Sequence, residues 1–76
     1  NVSIGQNAII CPYVDILGSV EIEDNCYLAP NAVILNGVKI GRHAFIGSKS
    51  YVEKDVPSGV LVFGTPAKIK KKIWKE

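Results

Sequence analysis

Val20-Glu21-Ile22-Glu23-Asp24-Asn25-Cys26-Tyr27-Leu28-Ala29-Pro30-Asn31-Ala32-Val33-Ile34-Leu35-Asn36-Gly37-Val38-Lys39-Ile40 is a single six-residue motif written over and over. Extended in both directions at the same phase, it places a branched aliphatic at Ile4, Ile10, Ile16, Ile22, Leu28, Ile34, Ile40, Ile46 and Val52. Two places before each stands a smaller residue: Val2, Ala8, Val14, Val20, Cys26, Ala32, Val38, Ala44 and Ser50. A helix repeats every 3.6 residues and cannot keep this phase. Residues two apart in a strand share a face, so each pair points inward from a very short strand. Between the pairs lie Gln6-Asn7, Pro12-Tyr13, Gly18-Ser19, Asp24-Asn25, Pro30-Asn31, Asn36-Gly37, Arg42-His43 and Ser48-Lys49. Most of these are residue types that accept left-handed or preset backbone angles, as a corner requires.

Three strands and three corners close a triangular coil of 18 residues. Segments 4–21, 22–39 and 40–57 then stack as three coils joined by parallel ladders, a solenoid with an aliphatic column inside. Stacking also sorts the outward residues. One column is Ser3, Glu21, Lys39; a second is Ile9, Tyr27, Phe45; a third is Asp15, Val33, Tyr51, flanked by Leu17 and Leu35. Two of the three outer faces are therefore apolar, which marks them as interfaces. The division expected is a β-helix over 1–57 and an extension over 58–76. Pro57 and Ser58-Gly59 end the sixfold pattern, Val60-Leu61-Val62-Phe63 reads as extended, and residues 67–75 read as a short basic helix. Thr65 would cap that helix and Pro66 open it. Ile69 and Ile73 fall on one face, and Trp74 is expected to cap the prism or meet a neighbouring subunit.

The chain has 76 residues, 47% hydrophobic and 21% charged, which fits one small globular domain rather than a disordered segment. So short a chain rarely builds a sufficient core alone. Its net charge of +2 is unevenly spread. The acidic groups Asp15, Glu21, Glu23, Asp24, Glu53 and Asp55 outnumber the basic ones up to residue 57; Lys68, Lys70, Lys71, Lys72 and Lys75 make the tail positive. That tail could meet ligand phosphates, nucleic acid or only water. Nucleic acid is disfavoured because exposed aromatics are not interleaved with the lysines. No apolar run approaches a membrane span. Cys11 and Cys26 cannot make a disulfide framework, and no secretory leader is visible, so a reducing cytoplasmic compartment is expected. The first residue is Asn1 and the chain contains no Met, so residues before Asn1 are expected to have been removed or left out.

The segment Val38-Lys39-Ile40-Gly41-Arg42-His43-Ala44-Phe45-Ile46-Gly47-Ser48, followed by Val52-Glu53-Lys54-Asp55-Val56-Pro57 and Gly64-Thr65-Pro66-Ala67-Lys68, resembles the closing coils of the hexapeptide-repeat acyltransferases. Thr65 departs from the Asn usual there. The likeness spans essentially the whole chain and is nearest to the sugar and nucleotide-sugar acetyltransferases. It implies an all-β fold, a left-handed parallel β-helix of about three coils, and a homotrimer assembled through the Ile9, Tyr27, Phe45 and Leu17, Val33, Leu35 faces. It also implies transfer of an acetyl group from acetyl-CoA to a sugar-type acceptor, with no metal. The small corner residues Ala29, Gly47 and Ser48 match those beside which the family lays pantetheine. Lys68 matches the lysine of the closing signature, and with Lys70 and its neighbours it could meet the nucleotide phosphates.

Catalysis in the family uses a histidine that takes the acceptor's proton. In several branches it opens an H-D-C-x-I-G string; the string most like it here is Gly18-Ser19-Val20-Glu21-Ile22-Glu23, with Gly18 in the histidine's place. The sole histidine, His43, is the one candidate base. It stands three places before Ile46 rather than four, and its alternative role is a solvated corner imidazole. A single histidine does not supply the three ligands of the zinc enzymes that share this fold. Cys26 reads as a small core residue and Cys11 as outward or interfacial. The chain alone is therefore expected to be a weak or inactive acetyltransferase-like domain. The alternative is a non-catalytic trimeric scaffold or CoA-binding module.

Overall fold

The computed structural model describes residues 1–75. Nine two-residue strands recur every six residues: β1 (Ser3–Ile4), β2 (Ile9–Ile10), β3 (Asp15–Ile16), β4 (Glu21–Ile22), β5 (Tyr27–Leu28), β6 (Val33–Ile34), β7 (Lys39–Ile40), β8 (Phe45–Ile46) and β9 (Tyr51–Val52). They form three parallel sheets, β1-β4-β7, β2-β5-β8 and β3-β6-β9, in a register of 18 residues. Ser3 lies opposite Glu21 and Glu21 opposite Lys39; Ile9, Tyr27 and Phe45 stack likewise, as do Asp15, Val33 and Tyr51. The outward columns are those the repeat predicts.

The corners explain why the chain can turn so tightly. Asn7, Tyr13, Ser19, Asn25, Asn31, Gly37, His43 and Lys49, the second residue of every corner pair, have φ between 58° and 80°. This left-handed turn aims the corner N–H at the coil before it. Asn25 donates to the Gln6 carbonyl at 2.9 Å, Gly37 to Gly18 at 2.9 Å and His43 to Asp24 at 3.1 Å. Carboxylates finish the job at three places: Asp24 accepts from the Gln6 N–H (2.7 Å), Glu23 from Arg42 (3.1 Å) and Asp55 from Lys39 (2.9 Å). Backbone donors at two corners and on β7 that would otherwise be left to water are thereby held by the protein.

The core runs through the second and third coils. Ile22, Leu28, Ile34, Ile40, Ile46 and Val52 are fully buried with Val20, Cys26, Ala32, Val38 and Ala44. Ser50 is buried among them, and its Oγ accepts from the Gly64 N–H at 3.2 Å. The first coil differs: Ile4 is 49% and Ile10 36% exposed, although both point inward. A solenoid coil buries its interior only against neighbours on both sides, and among the described residues this one is stacked on one side.

Two expectations for the C-terminal part are corrected. The sixfold pattern does not end at Ser58; it slips by two residues. Val56 bridges Ile40, and Leu61 and Val62 pair in parallel with Phe45 and Ile46, an offset of 16 in place of 18. Val56 and Val62 are six apart and buried, and Gly59, three before Val62, takes the left-handed corner with φ 71°. Its N–H donates to the Arg42 carbonyl at 2.9 Å. The expected basic helix over 67–75 is also not formed. The chain runs through β10 (Val60–Gly64), turns at Thr65 and a cis Pro66, and returns as the antiparallel strand β11 (Ala67–Lys72). The open edge of β10 offers a ladder, and an array of backbone partners outweighs the modest helical preference of a Lys-rich stretch. Lys68-Ile69-Lys70 alternates with period two as readily as Ile69 and Ile73 repeat with period four.

Candidate functional site

Three corner stacks run along the prism. One contains Ala29, Gly47 and Ser48, between the β2-β5-β8 and β3-β6-β9 sheets; another contains His43, between β1-β4-β7 and β2-β5-β8. His43 and Gly47 therefore flank the two ends of β8, about 13 Å apart along an extended strand. Within one chain the structure does not bring the candidate base to the small-residue corner.

His43 is engaged elsewhere. Its imidazole stacks on the Trp74 indole, with centroids 3.9 Å apart and planes 9° from parallel. The tail is pinned there because the Gly59 carbonyl accepts from the N–H groups of Ile73 (2.7 Å) and Trp74 (3.1 Å). A side chain on Gly59 would run into the Trp74 backbone, so this position needs glycine for space as well as for its positive φ. Trp74 thus covers a corner of the prism rather than its open end. Glu23, Arg42, Ser58 and Lys72 line a cleft beside it. Glu23 is already committed, through Oε1 to the Arg42 N–H and through Oε2 to Lys39 Nζ at 3.4 Å.

At the other corner, Ala29 and Gly47 occupy successive rungs and both are buried; Ser48 is exposed. Gly47 donates to the Val62 carbonyl at 2.9 Å and Ala29 to Ile46 at 2.9 Å. The outward column here runs Cys11, Ala29, Gly47, Phe63, and the Phe63 ring lies where a Gly47 side chain would stand. Lys68 pairs with Phe63 across the hairpin and so stands beside this corner. Lys70 falls in the bulge between the Leu61–Lys71 and Val62–Ile69 pairs and has no partner in the ladder. Phe63 escaped the sequence reading because the two-residue slip hid its place in the Gly47 column. The six-residue spacing of Val56 and Val62 was the signal that could have revealed it.

Of the two free thiols, Cys26 is buried in the core and Cys11 is half-buried on the outer face. Cys26 Sγ donates to the Gly41 carbonyl at 3.1 Å, and burial pushes the thiol above its ordinary value. The folded chain therefore holds this proton to higher pH than the unfolded chain does. Below about pH 9 both states keep it and stability is unaffected; above that the unfolded chain releases it first, so stability falls as pH rises. The melting temperature is expected to decline above about pH 9. Cys26→Ala, which copies Ala8 and Ala44 of the same column, should remove that part of the decline. Cys11 Sγ lies 3.3 Å from the Tyr27 hydroxyl, and this contact pushes the Tyr27 phenol up. The Tyr27 ring stacks on Phe45 with centroids 4.6 Å apart. Among the described residues no three His, Cys, Asp or Glu side chains converge on a metal position, and no helix is long and apolar enough to cross a membrane.

Comparison with known proteins places this architecture. The family model for bacterial transferase hexapeptide (six repeats) matches residues 1–36 and 22–54. A galactoside O-acetyltransferase of Lactococcus lactis is 46% identical over 54 residues, covering 71% of this chain and 26% of the relative. A 2,3,4,5-tetrahydropyridine-2,6-dicarboxylate N-acetyltransferase of Staphylococcus aureus is 39% identical over 71 residues, 91% of this chain and 30% of the relative. Among solved structures, PerB from Caulobacter crescentus in complex with CoA and GDP-perosamine superposes with a TM-score of 0.91 at 31% identity, over 92% of this chain and 34% of that one. The chain thus spans between a quarter and about a third of the length of these proteins. The hexad columns and the 18-residue register are those of a parallel β-helix, its left hand is that of the hexapeptide-repeat relatives, and the chain belongs to the bacterial transferase hexapeptide family.

Proposed function

We propose that this chain is the β-helical part of an acetyl-CoA-dependent acetyltransferase acting on a sugar-type acceptor in the cytoplasm. The observation that carries the reading is the shared coil architecture: a relative holding CoA and a nucleotide-linked amino sugar superposes on nearly the whole chain. The pantetheine arm would follow the Ala29–Gly47 corner past Ser48, with Lys68 and Lys70 toward the nucleotide phosphates. Small residues suit that task because they let a ligand approach the backbone closely. The chain would work as a homotrimer whose apolar faces, Ile9-Tyr27-Phe45 and Leu17-Val33-Leu35, pack against neighbouring copies.

The general base is the open element. His43 is the only imidazole, yet one of its faces is covered by Trp74 and it lies at the far end of β8 from Gly47. The test is an acetyl-CoA-dependent transfer assay on the full-length protein, comparing wild type with His43→Ala. The expected result is unchanged turnover together with a loss of about 1 kcal/mol of stability from the broken ring stack, matched by Trp74→Ala. A fall in turnover of ~10²–10⁴-fold would instead make His43 the base. A non-catalytic scaffold is the second reading, favoured by Gly18 in the histidine's place; absence of transfer to any sugar or amino-sugar acceptor would establish it.

A further inference from the structure

We propose that Phe63 is a gate on the cofactor groove, seated in its closed position on Gly47; this rests on the CoA reading above. Gly47 is buried although it has no side chain, and what covers it is the Phe63 ring. A Cβ at Gly47 would collide with Phe63 Cδ1, so the ring already uses the space that the glycine leaves. A ligand that needs close approach to this backbone must first move the ring.

The way Phe63 is held points to rotation of the side chain rather than opening of a loop. Its backbone is locked on both sides. The Gly47 N–H donates to the Val62 carbonyl at 2.9 Å, the Gly64 N–H to Ser50 Oγ at 3.2 Å, and Thr65 Oγ1 to the Lys49 carbonyl at 3.3 Å. Phe63 is 48% exposed and lies outside the buried core, so its ring leaves the Gly47 face without dismantling a core. Lys68, directly across the hairpin from Phe63, places a cation beside the gate where an anionic ligand would first be held. In the closed position the groove is not available, and the apparent affinity is reduced by the fraction of molecules with the ring displaced.

The test is calorimetric titration of CoA into the full-length protein, as wild type and as Phe63→Ala. Phe63→Ala binds CoA more tightly by the inverse of the fraction of wild-type molecules with the ring displaced, about tenfold for a fraction of about a tenth. Equal or weaker binding by the folded variant overturns the gate and leaves the CoA reading standing. Binding by the variant alone supports the gate in its strongest form. Binding by neither protein overturns both. A second measurement needs no substitution: the nuclear Overhauser contact between the Phe63 ring and the Gly47 Hα should be present in free wild type and vanish at saturating CoA. Its persistence in the CoA complex would overturn the gate.

Discussion

Ile34→Asp is expected to unfold the protein. Ile34 is 0% exposed and stacks between Ile16 and Val52, with Leu28 and Ile40 on the other two walls of the column. A carboxylate there finds no water and no partner, and such changes reach about 4 kcal/mol or more. A domain of this size has on the order of 4–11 kcal/mol in total. Ile22→Asp and Leu28→Asp should behave the same way and be seen as loss of soluble, cooperatively melting protein. The informative contrast is Ile4→Asp. Ile4 belongs to the same inward series but sits in the half-covered first coil, so in this chain its replacement should cost far less. The outward Glu21→Ala and Lys39→Ala should stay within about 0.5 kcal/mol. Glu23→Ala should cost about 1 kcal/mol, because it leaves the Arg42 N–H without its carboxylate. Equal damage at Ile4 and Ile34 would refute the burial gradient, and equal damage at Ile34 and Glu21 the inward–outward register itself.

In the proposed trimer, Tyr27→Glu combined with Phe45→Glu is expected to separate the subunits. The two rings are stacked on adjacent rungs of β5 and β8 and continue the apolar column that begins at Ile9. Two carboxylates on paired strands repel each other and, in the proposed assembly, would face an apolar surface of the next copy. Sedimentation should report the mass of three chains for wild type and of one chain for the double variant. Far-UV circular dichroism distinguishes dissociation from unfolding. Wild type that sediments as a monomer at low micromolar concentration would rule out the trimer.

How much of this was legible beforehand differs from element to element. All nine short strands and all eight corners follow from residue order, because a hexad coil is specified locally. One aliphatic and one small residue face inward, and a residue tolerant of positive φ turns the chain. His43 and Lys49 show how strong that local logic is, since both take the corner angle without being glycine or asparagine. Cys26 was legible as core for the same reason, standing in a column with Ala8 and Ala44.

Where the repeat stops being regular, long-range contacts take over. Residues 67–72 carry no decisive period of their own and become a strand because β10 offers an unpaired edge. The two-residue slip between Val52 and Val56 was invisible at fixed phase, and it is what lines Phe63 up with Gly47. Gly47 was read as small so that a ligand could approach; the structure shows its missing side chain occupied by an aromatic ring of this same chain. His43 was read as a solvent-facing corner or a base, yet Trp74, 31 positions later, covers one face of its ring. The sequence by itself determined the prism: its periods, its inward column and the chemistry of its faces, all governed by residues a few positions apart. Only the tertiary structure decided what lies on the surface of that prism, because the tail meets the corners through contacts between residues far apart in the chain, which no local period encodes.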